Sequence, residues 1–379
     1  MRDVAIVGAN MLKFGRYPEK DVVQLASEAV IGALKDAGIS IKDVQLVSSG
    51  NLYQSNAMIG QRIMKEIGAT GVPVINVSNA CATGSTAFRE AYYAVASGAY
   101  DIAMAIGSEQ MGKMGLLGGG GGGDRAYSTE GVMGTGIMPG VFGQAGAEHM
   151  RKYGTNQAQI AKIAVKASKH GELNPYAMYR EGKSLEDVLN ARVVAWPNTL
   201  YMCCPTSDGA AAAVLMSAEK AKQYTSKPVW VAASVLTSDP YSDRNPTMFD
   251  INTLTKNAAN EAYETAGIGP EDLSMVELHD CFASAELLHY ENLFLCGEGE
   301  AGKLIDDGET YNGGKIPVNV SGGLLSKGHP LGATGVANIV EIAWHLRGEA
   351  GERQVKDAKV GLAHVIGLGS ACTIHVLKK

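Results

Sequence analysis

Residues 28–50 read EAVIGALKDAGISIKDVQLVSSG, and residues 257–280 read NAANEAYETAGIGPEDLSMVELHD. Each is an amphipathic helical stretch, a break at Ala37-Gly38-Ile39 or Ala266-Gly267-Ile268, an acidic turn and an apolar strand. A second match follows in the same order. Pro73-Val-Ile-Asn-Val-Ser78 corresponds to Pro317-Val-Asn-Val-Ser321, with one residue fewer. Both lead through a glycine-containing turn into a helix, over 84–97 in one case and 332–347 in the other. Each helix then gives way to an apolar strand ending in glycine, Asp101–Gly107 and Lys359–Gly367. Two matches in parallel order make the chain a duplicated α/β unit.

The material between the two halves has no counterpart. Met111–Phe142 contains the run Gly118–Gly123 and reads as a mobile-loop candidate. The stretch 144–172 carries Ala, Ile and Val at helical spacing, and 173–200 reads as irregular. An apolar strand resumes within Thr206–Met216. The expected division is a first half over 1–111 and 201–227, an inserted loop domain over 112–200, and a second half over 228–379. A length of 379 residues suits such a division better than one core.

Lys and Arg number 33 against 39 Asp and Glu, a formal charge of −6. That balance argues against nucleic acid as the main partner, which calls for a basic domain or stripe. Val360–Leu377 lacks charged residues, but two histidines, two glycines beyond Gly361 and a serine interrupt it. It reads as a buried strand pair and not as a membrane span. Met1-Arg2-Asp3 runs straight into the apolar Val4-Ala5-Ile6-Val7, so the expectation is a first strand, no signal peptide and a cytoplasmic protein. The six cysteines show no zinc-like spacing, and no metal centre is read from them.

Three segments carry chemistry. Cys81 lies in Ser78-Asn-Ala-Cys-Ala-Thr-Gly-Ser85, between a strand and a helix, where the helix N-terminus favours a thiolate. His329, in Ser326-Lys-Gly-His-Pro-Leu-Gly332, holds nearly the repeat-equivalent place and offers an imidazole base beside a thiol. His279 and Cys281 sit two residues apart between an apolar strand and a helix starting at Ala283.

These segments, with Gly328-His-Pro-Leu-Gly-Ala-Thr-Gly335, His364-Val-Ile-Gly-Leu-Gly-Ser-Ala371 and Thr206-Ser-Asp-Gly-Ala210, resemble the thiolase superfamily. The resemblance is to its sterol-carrier-protein-2-type thiolases, and it runs over the whole chain. It implies a duplicated five-layer αβαβα thiolase fold with an inserted loop domain, and a homodimer or homotetramer. The implied reaction is CoA-dependent cleavage, or Claisen-type formation, of a 3-oxoacyl-CoA. Cys81 is then the nucleophile and His329 the base that activates it. His279 and His329 bind the thioester oxygen, Cys281 is the acid/base, and backbone N–H groups at Cys81, Gly367 and Gly369 form the second oxyanion hole. Ordinary thiolases place their acid/base cysteine in a C-terminal Cys-x-Gly-Gly-Gly motif. Here that region reads Ala363-His-Val-Ile-Gly-Leu-Gly369, which turns the role to Cys281.

The resemblance implies no bound cofactor, with coenzyme A as substrate, and a small zinc-ribbon/OB-fold (DUF35-type) partner protein. The sequence ends with the second half, so the expectation is that no lipid-transfer domain is fused to it. His149, Arg151, Lys152, Lys166 and Lys169 are the candidates for CoA contacts. Three other readings stand beside the thiolase: a retro-aldolase of a β-hydroxyacyl-CoA, a decarboxylating ketosynthase and a non-catalytic acyl-CoA-binding protein. The presence of Cys81 speaks against the first, and Cys281 against the second.

Overall fold

The apolar segments found by their repeat become the strands of one sheet in the computed structural model, which describes residues 1–112, 137–241, 250–368 and 370–379. The strands are β1 (Val4–Met11), β2 (Leu46–Gly50), β3 (Val74–Val77), β4 (Ile102–Gln110), β5 (Val193–Ala195), β6 (Asn198–Thr199), β7 (Asp208–Ser217), β8 (Val229–Thr237), β9 (Met275–Glu277), β10 (Val360–Gly367) and β11 (Ala371–Lys378). Nine of them pair in the order β3-β2-β4-β7-β1-β8-β11-β10-β9, while β5 and β6 form a separate hairpin.

The duplication is written in that order. In the first half β1 and β4 flank β7 antiparallel, and β2 lies parallel between β4 and β3. In the second half β8 and β10 flank β11 antiparallel, β9 is parallel to β10, and Val318 bridges β9 in parallel where β3 stands in the first half. The two halves meet edge to edge through Ala5–Trp230 and Ile6–Val229.

The helices, in chain order, begin with α1 (Val22–Ala37), α2 (Ile59–Ile67) and α3 (Thr83–Ala96). Then come α4 (Met138–Tyr153), α5 (Gln157–Glu172), α6 (Leu185–Asn190), α7 (Ala218–Tyr224), α8 (Ile251–Ala266) and α9 (Ala283–Asn292). The last three are α10 (Ala301–Asp306), α11 (Gly323–Lys327) and α12 (Leu331–Arg347). Three apolar cores separate the layers. One joins α1 and α2 to one face of the first half-sheet through Leu25, Ala29, Ile63, Met104 and Val214. A second surrounds α3 and α12, with Phe88, Ala91, Val336 and Ile339 packed on strands of both halves. The third holds α5, α8 and α9 against the outer face of the second half-sheet, through Ile163, Ala258, Leu287 and Ile374. Helix, sheet, helix, sheet, helix is the resulting five-layer stack.

The central helices approach closely because glycines line their crossing. A Cβ at Gly84 would lie 2.6 Å from the Gly332 carbonyl oxygen, and one at Gly335 would collide with the Ser85 hydroxyl and amide. The same glycines therefore bring together the two N-terminal ends, each preceded by a reactive side chain: Cys81 before α3 and His329 before α12.

One expectation is refined and one corrected. The stretch 144–172 is helical as expected, but in two helices, because Gly154 turns left-handed at φ +77° and Asn156 caps the next helix with a reciprocal Gln159 box. The stretch 173–200 is not irregular throughout: Ser184 caps α6, and β5–β6 follow. The Gly118–Gly123 run and Gly369 lie outside the described residues.

Candidate active site

The turn that carries Cys81 is held by short local bonds. The Asn79 amide donates to Thr83 Oγ1 at 2.8 Å, and that hydroxyl donates to the Ala80 carbonyl at 2.6 Å. Ala80 takes φ +49°, in the left-handed region that a non-glycine residue rarely adopts, so the turn is tightened just before the thiol. Gly367, at the end of β10, packs on the Asn79 carbonyl and the Ala80 Cβ, which sets the second half's last turn against the first half's nucleophile turn.

His329 is fixed from both sides. Its backbone amide donates to Ser207 Oγ at 2.8 Å, and its Nδ1 lies 2.8 Å from Thr334 Oγ1. The Thr334 hydroxyl also stands 3.0 Å from the Pro330 carbonyl. With its proton on that carbonyl it accepts from Nδ1–H, the tautomer in which His329 Nε2 is the base. His279 follows β9, where the Leu278 amide donates to Asn319 Oδ1 at 2.8 Å and the His279 amide to His364 Nδ1 at 3.5 Å. Asp280 ties this turn to the approach to His329 by accepting the Leu324 amide at 2.8 Å and the Leu325 amide at 3.4 Å.

Cys81 Sγ and one ring nitrogen each of His279 and His329 lie within 4.8 Å of one another, and all three residues are buried. The imidazole rings meet edge to face, with centroids 5.1 Å apart. Burial governs their charge. It holds His279 down to about 3 and His329 well below the ordinary histidine value, so both are neutral. Burial also pushes the Cys81 thiol up to about 12, with the Glu109 carboxylate adding to it. The sequence argument from the helix N-terminus anticipated a thiolate. In the folded chain desolvation outweighs the dipole, and the resting pair is thiol and neutral imidazole.

Cys281 is buried, and burial raises its thiol well above the ordinary value, helped by the neighbouring thiols of Cys204 and Cys81. Cys204, whose amide donates to the Cys281 carbonyl at 3.0 Å, was not singled out by any spacing. Its neighbour relation exists only through the fold. Glu109 was missed as well. Its buried carboxylate accepts the Leu52 amide at 2.9 Å and Asn51 Nδ2 at 3.1 Å, and burial lifts it to about 7. Leu52, Tyr53, Met111, Leu331, Val365 and Ala371 pack with Cys81 and Ala82 in a small apolar cluster around the nucleophile.

The expected CoA contacts go to different places. The fully buried Lys166 ammonium is shared among Glu286, Tyr290 and the Val318 carbonyl, so in this fold it is enclosed in the core and not turned toward a CoA phosphate. His149 is buried and bonded on both ring nitrogens, to Glu291 at 2.9 Å and Thr155 at 3.0 Å. Arg151 and Lys152 are exposed and paired with Glu148 and Glu298, and exposed Lys169 stands 6.0 Å from the Tyr311 ring centre.

Comparison with known proteins shows the family and the fold. The family description "Thiolase, N-terminal domain" matches residues 4–181, and "Thiolase C-terminal domain-like" matches residues 237–379. Human "Sterol carrier protein 2" is 42% identical over an alignment that covers 100% of this chain and 72% of that protein. The "Acetyl-CoA acetyltransferase" of Methanothermobacter thermautotrophicus is 38% identical, with 100% of both chains covered. Among solved structures, the "Ltp2-ChsH2(DUF35) aldolase" superposes with a TM-score of 0.86 over 98% of this chain and 97% of that one, at 24% identity. That last likeness is one of fold. Among the described residues, no helix is long and apolar enough to cross a membrane.

Proposed function

The chain belongs to the thiolase family, and from that premise we propose that it exchanges an acyl group between CoA and a 3-oxoacyl-CoA through an acyl-Cys81 intermediate. The observation that carries the reading is the orientation of His329. Its Nδ1 is held against Thr334 Oγ1, which leaves the ring's other nitrogen to serve as base in one cluster with Cys81 and His279.

In cleavage, Cys81 Sγ attacks the 3-oxo carbon while His329 Nε2 takes the thiol proton, so the neutral resting pair becomes an ion pair only as the bond forms. The bond between C2 and C3 then breaks, leaving the shortened acyl group on Cys81 and expelling the C1–C2 fragment as the enolate of its CoA thioester. His279 and His329 hold that enolate oxygen, and Cys281 protonates its carbon. The CoA thiol next gives its proton to the Cys281 thiolate and attacks the Cys81 thioester, and Cys81 leaves with the proton that His329 held. The oxyanion of this step is met by backbone N–H groups at Cys81 and at the turn after Gly367. Synthesis is the same path reversed. A well-placed donor at either oxyanion is worth about 3–4 kcal/mol.

The chain works as a homo-oligomer in the cytoplasm. The uncovered edge strand β3, with Ile75 and Asn76 exposed, is consistent with pairing between copies. A small DUF35-type protein is its partner, by analogy with the DUF35-containing aldolase of like fold.

Intact-protein mass spectrometry after incubation with acetoacetyl-CoA and with longer, branched and aryl 3-oxoacyl-CoA thioesters tests the reading and assigns the acyl group. A mass gain on Cys81, absent from Cys81→Ala, is expected. Turnover of a β-hydroxyacyl-CoA without an acyl-enzyme would establish the retro-aldolase instead, and CO2 release the decarboxylating ketosynthase. Binding without any turnover would leave a carrier.

A further inference from the structure

His279 Nε2 and His329 Nε2 are 3.4 Å apart, and Cys81 Sγ completes a set of three donors within 4.8 Å of one another. Two imidazoles bound to one tetrahedral zinc ion at about 2.0–2.1 Å stand about 3.4 Å apart, and a thiolate at about 2.3 Å lies about 3.6 Å from each of them. The imidazoles are thus already at the spacing of a shared ion, and the sulfur, within 4.8 Å of both, has to close to about 3.6 Å. Among the described residues this is the one group of three or more His, Cys, Asp or Glu so placed.

One further contact fits a soft or borderline cation. His329 Nδ1 lies 2.8 Å from Thr334 Oγ1, the outer contact that aims the opposite nitrogen of a metal-bound histidine.

We propose that Cys81, His279 and His329 form a site for a divalent cation of zinc type, and that its binding reversibly withdraws Cys81 from acylation. Binding forms one S–Zn and two N–Zn bonds, breaks the Cys81 S–H bond and releases that proton to solvent. No electron moves. A water or a substrate oxygen takes the fourth position. Cys281 is outside the donor set, so the two thiols are affected differently: Cys81 becomes inert while Cys281 keeps its proton.

The test uses the full-length protein with zinc chloride or cobalt chloride alone, and its primary readouts do not depend on turnover. Zinc titration is expected to give one ion and close to one released proton per chain. Cobalt is expected to show a thiolate-to-cobalt charge-transfer band, and zinc to slow N-ethylmaleimide labelling of Cys81, read by peptide mapping. Cys81→Ser and His279→Gln should weaken binding roughly a hundredfold or more, and Thr334→Val about 10–100-fold. Absence of stoichiometric binding overturns the proposal. So does binding without the charge-transfer band, or with Cys81 labelling unchanged. Those last readouts come from the unaltered chain and hold even where a variant fails to fold.

Discussion

His279 and His329 place their Nε2 atoms 3.4 Å apart across a sequence separation of 50 residues. Among the described residues neither has a charged partner to hold it there. His279 stands on its strand end through the Asn319 and His364 contacts of its backbone, and His329 through Ser207 and Thr334. The reactive geometry is therefore set by backbone bonds and two hydroxyls, and those are the places to perturb it.

Removing the Thr334 hydroxyl leaves His329 free to place its proton on either nitrogen. Thr334→Val is expected to lower kcat by about 10–100-fold with little change in KM, since ground-state binding is not touched. Thr334→Ser restores the hydroxyl and should recover most of the rate. Steady-state kinetics of both variants decide it, and a purely structural role would instead lower stability in step with activity.

Gly335→Ala puts a methyl group into the Ser85 hydroxyl and amide at the crossing of α3 and α12. Overpacking of this kind costs about 1–3 kcal/mol. Because the crossing also spaces Cys81 from His329, kcat should fall more than the stability loss alone explains. Urea unfolding together with activity at a temperature where the variant remains folded measures both. Unchanged activity would show that the crossing does not govern the spacing.

The buried histidines make the fold sensitive to acid. Burial holds His279, His289 and His375 near 3 and His170 near 4, against an ordinary value of about 6.5. As pH falls through 6.5, the unfolded chain takes up these protons and the folded chain does not. Stability is therefore complete above pH 6.5 and declines on acidification toward pH 4, by about 1.4 kcal/mol per pH unit for each extra proton bound on unfolding. Glu109, raised to about 7, opposes this with one proton between its ordinary range and 7. The urea midpoint should fall steadily between pH 6.5 and 4.5, and a flat profile would contradict the neutral state of these rings.

Lys166→Met tests the one lysine among the CoA candidates that the fold has enclosed. The change strands the Glu286 carboxylate in the core, for which a loss of about 3–5 kcal/mol is expected. The KM for CoA should not move in the fraction that folds. A selective rise in that KM would restore Lys166 to the CoA site.

The duplication, the strand and helix order and the positions of Cys81, His279, Cys281 and His329 at strand-to-helix turns were legible in the sequence, because they are local. Apolar periodicity and Ala-Gly-Ile breaks report backbone conformation within a few residues. The break inside 144–172 was equally local in its signals, Gly154 and the Asn156–Gln159 box, but the continuous apolar spacing on both sides masked it. Nothing in the order of residues identified Thr334 as a partner of His329, Glu109 as a charge beside Cys81, or Cys204 as a neighbour of Cys281.

By itself the sequence determined that two like halves each present a reactive residue at the start of a helix. Only the tertiary structure decided their ionisation and their distances. A side chain's charge depends on how completely the fold removes water around it, and a spacing of a few ångströms across hundreds of residues depends on how closely two helices can pack. For Cys81, desolvation against dipole was such a contest, and packing resolved it in favour of the neutral thiol.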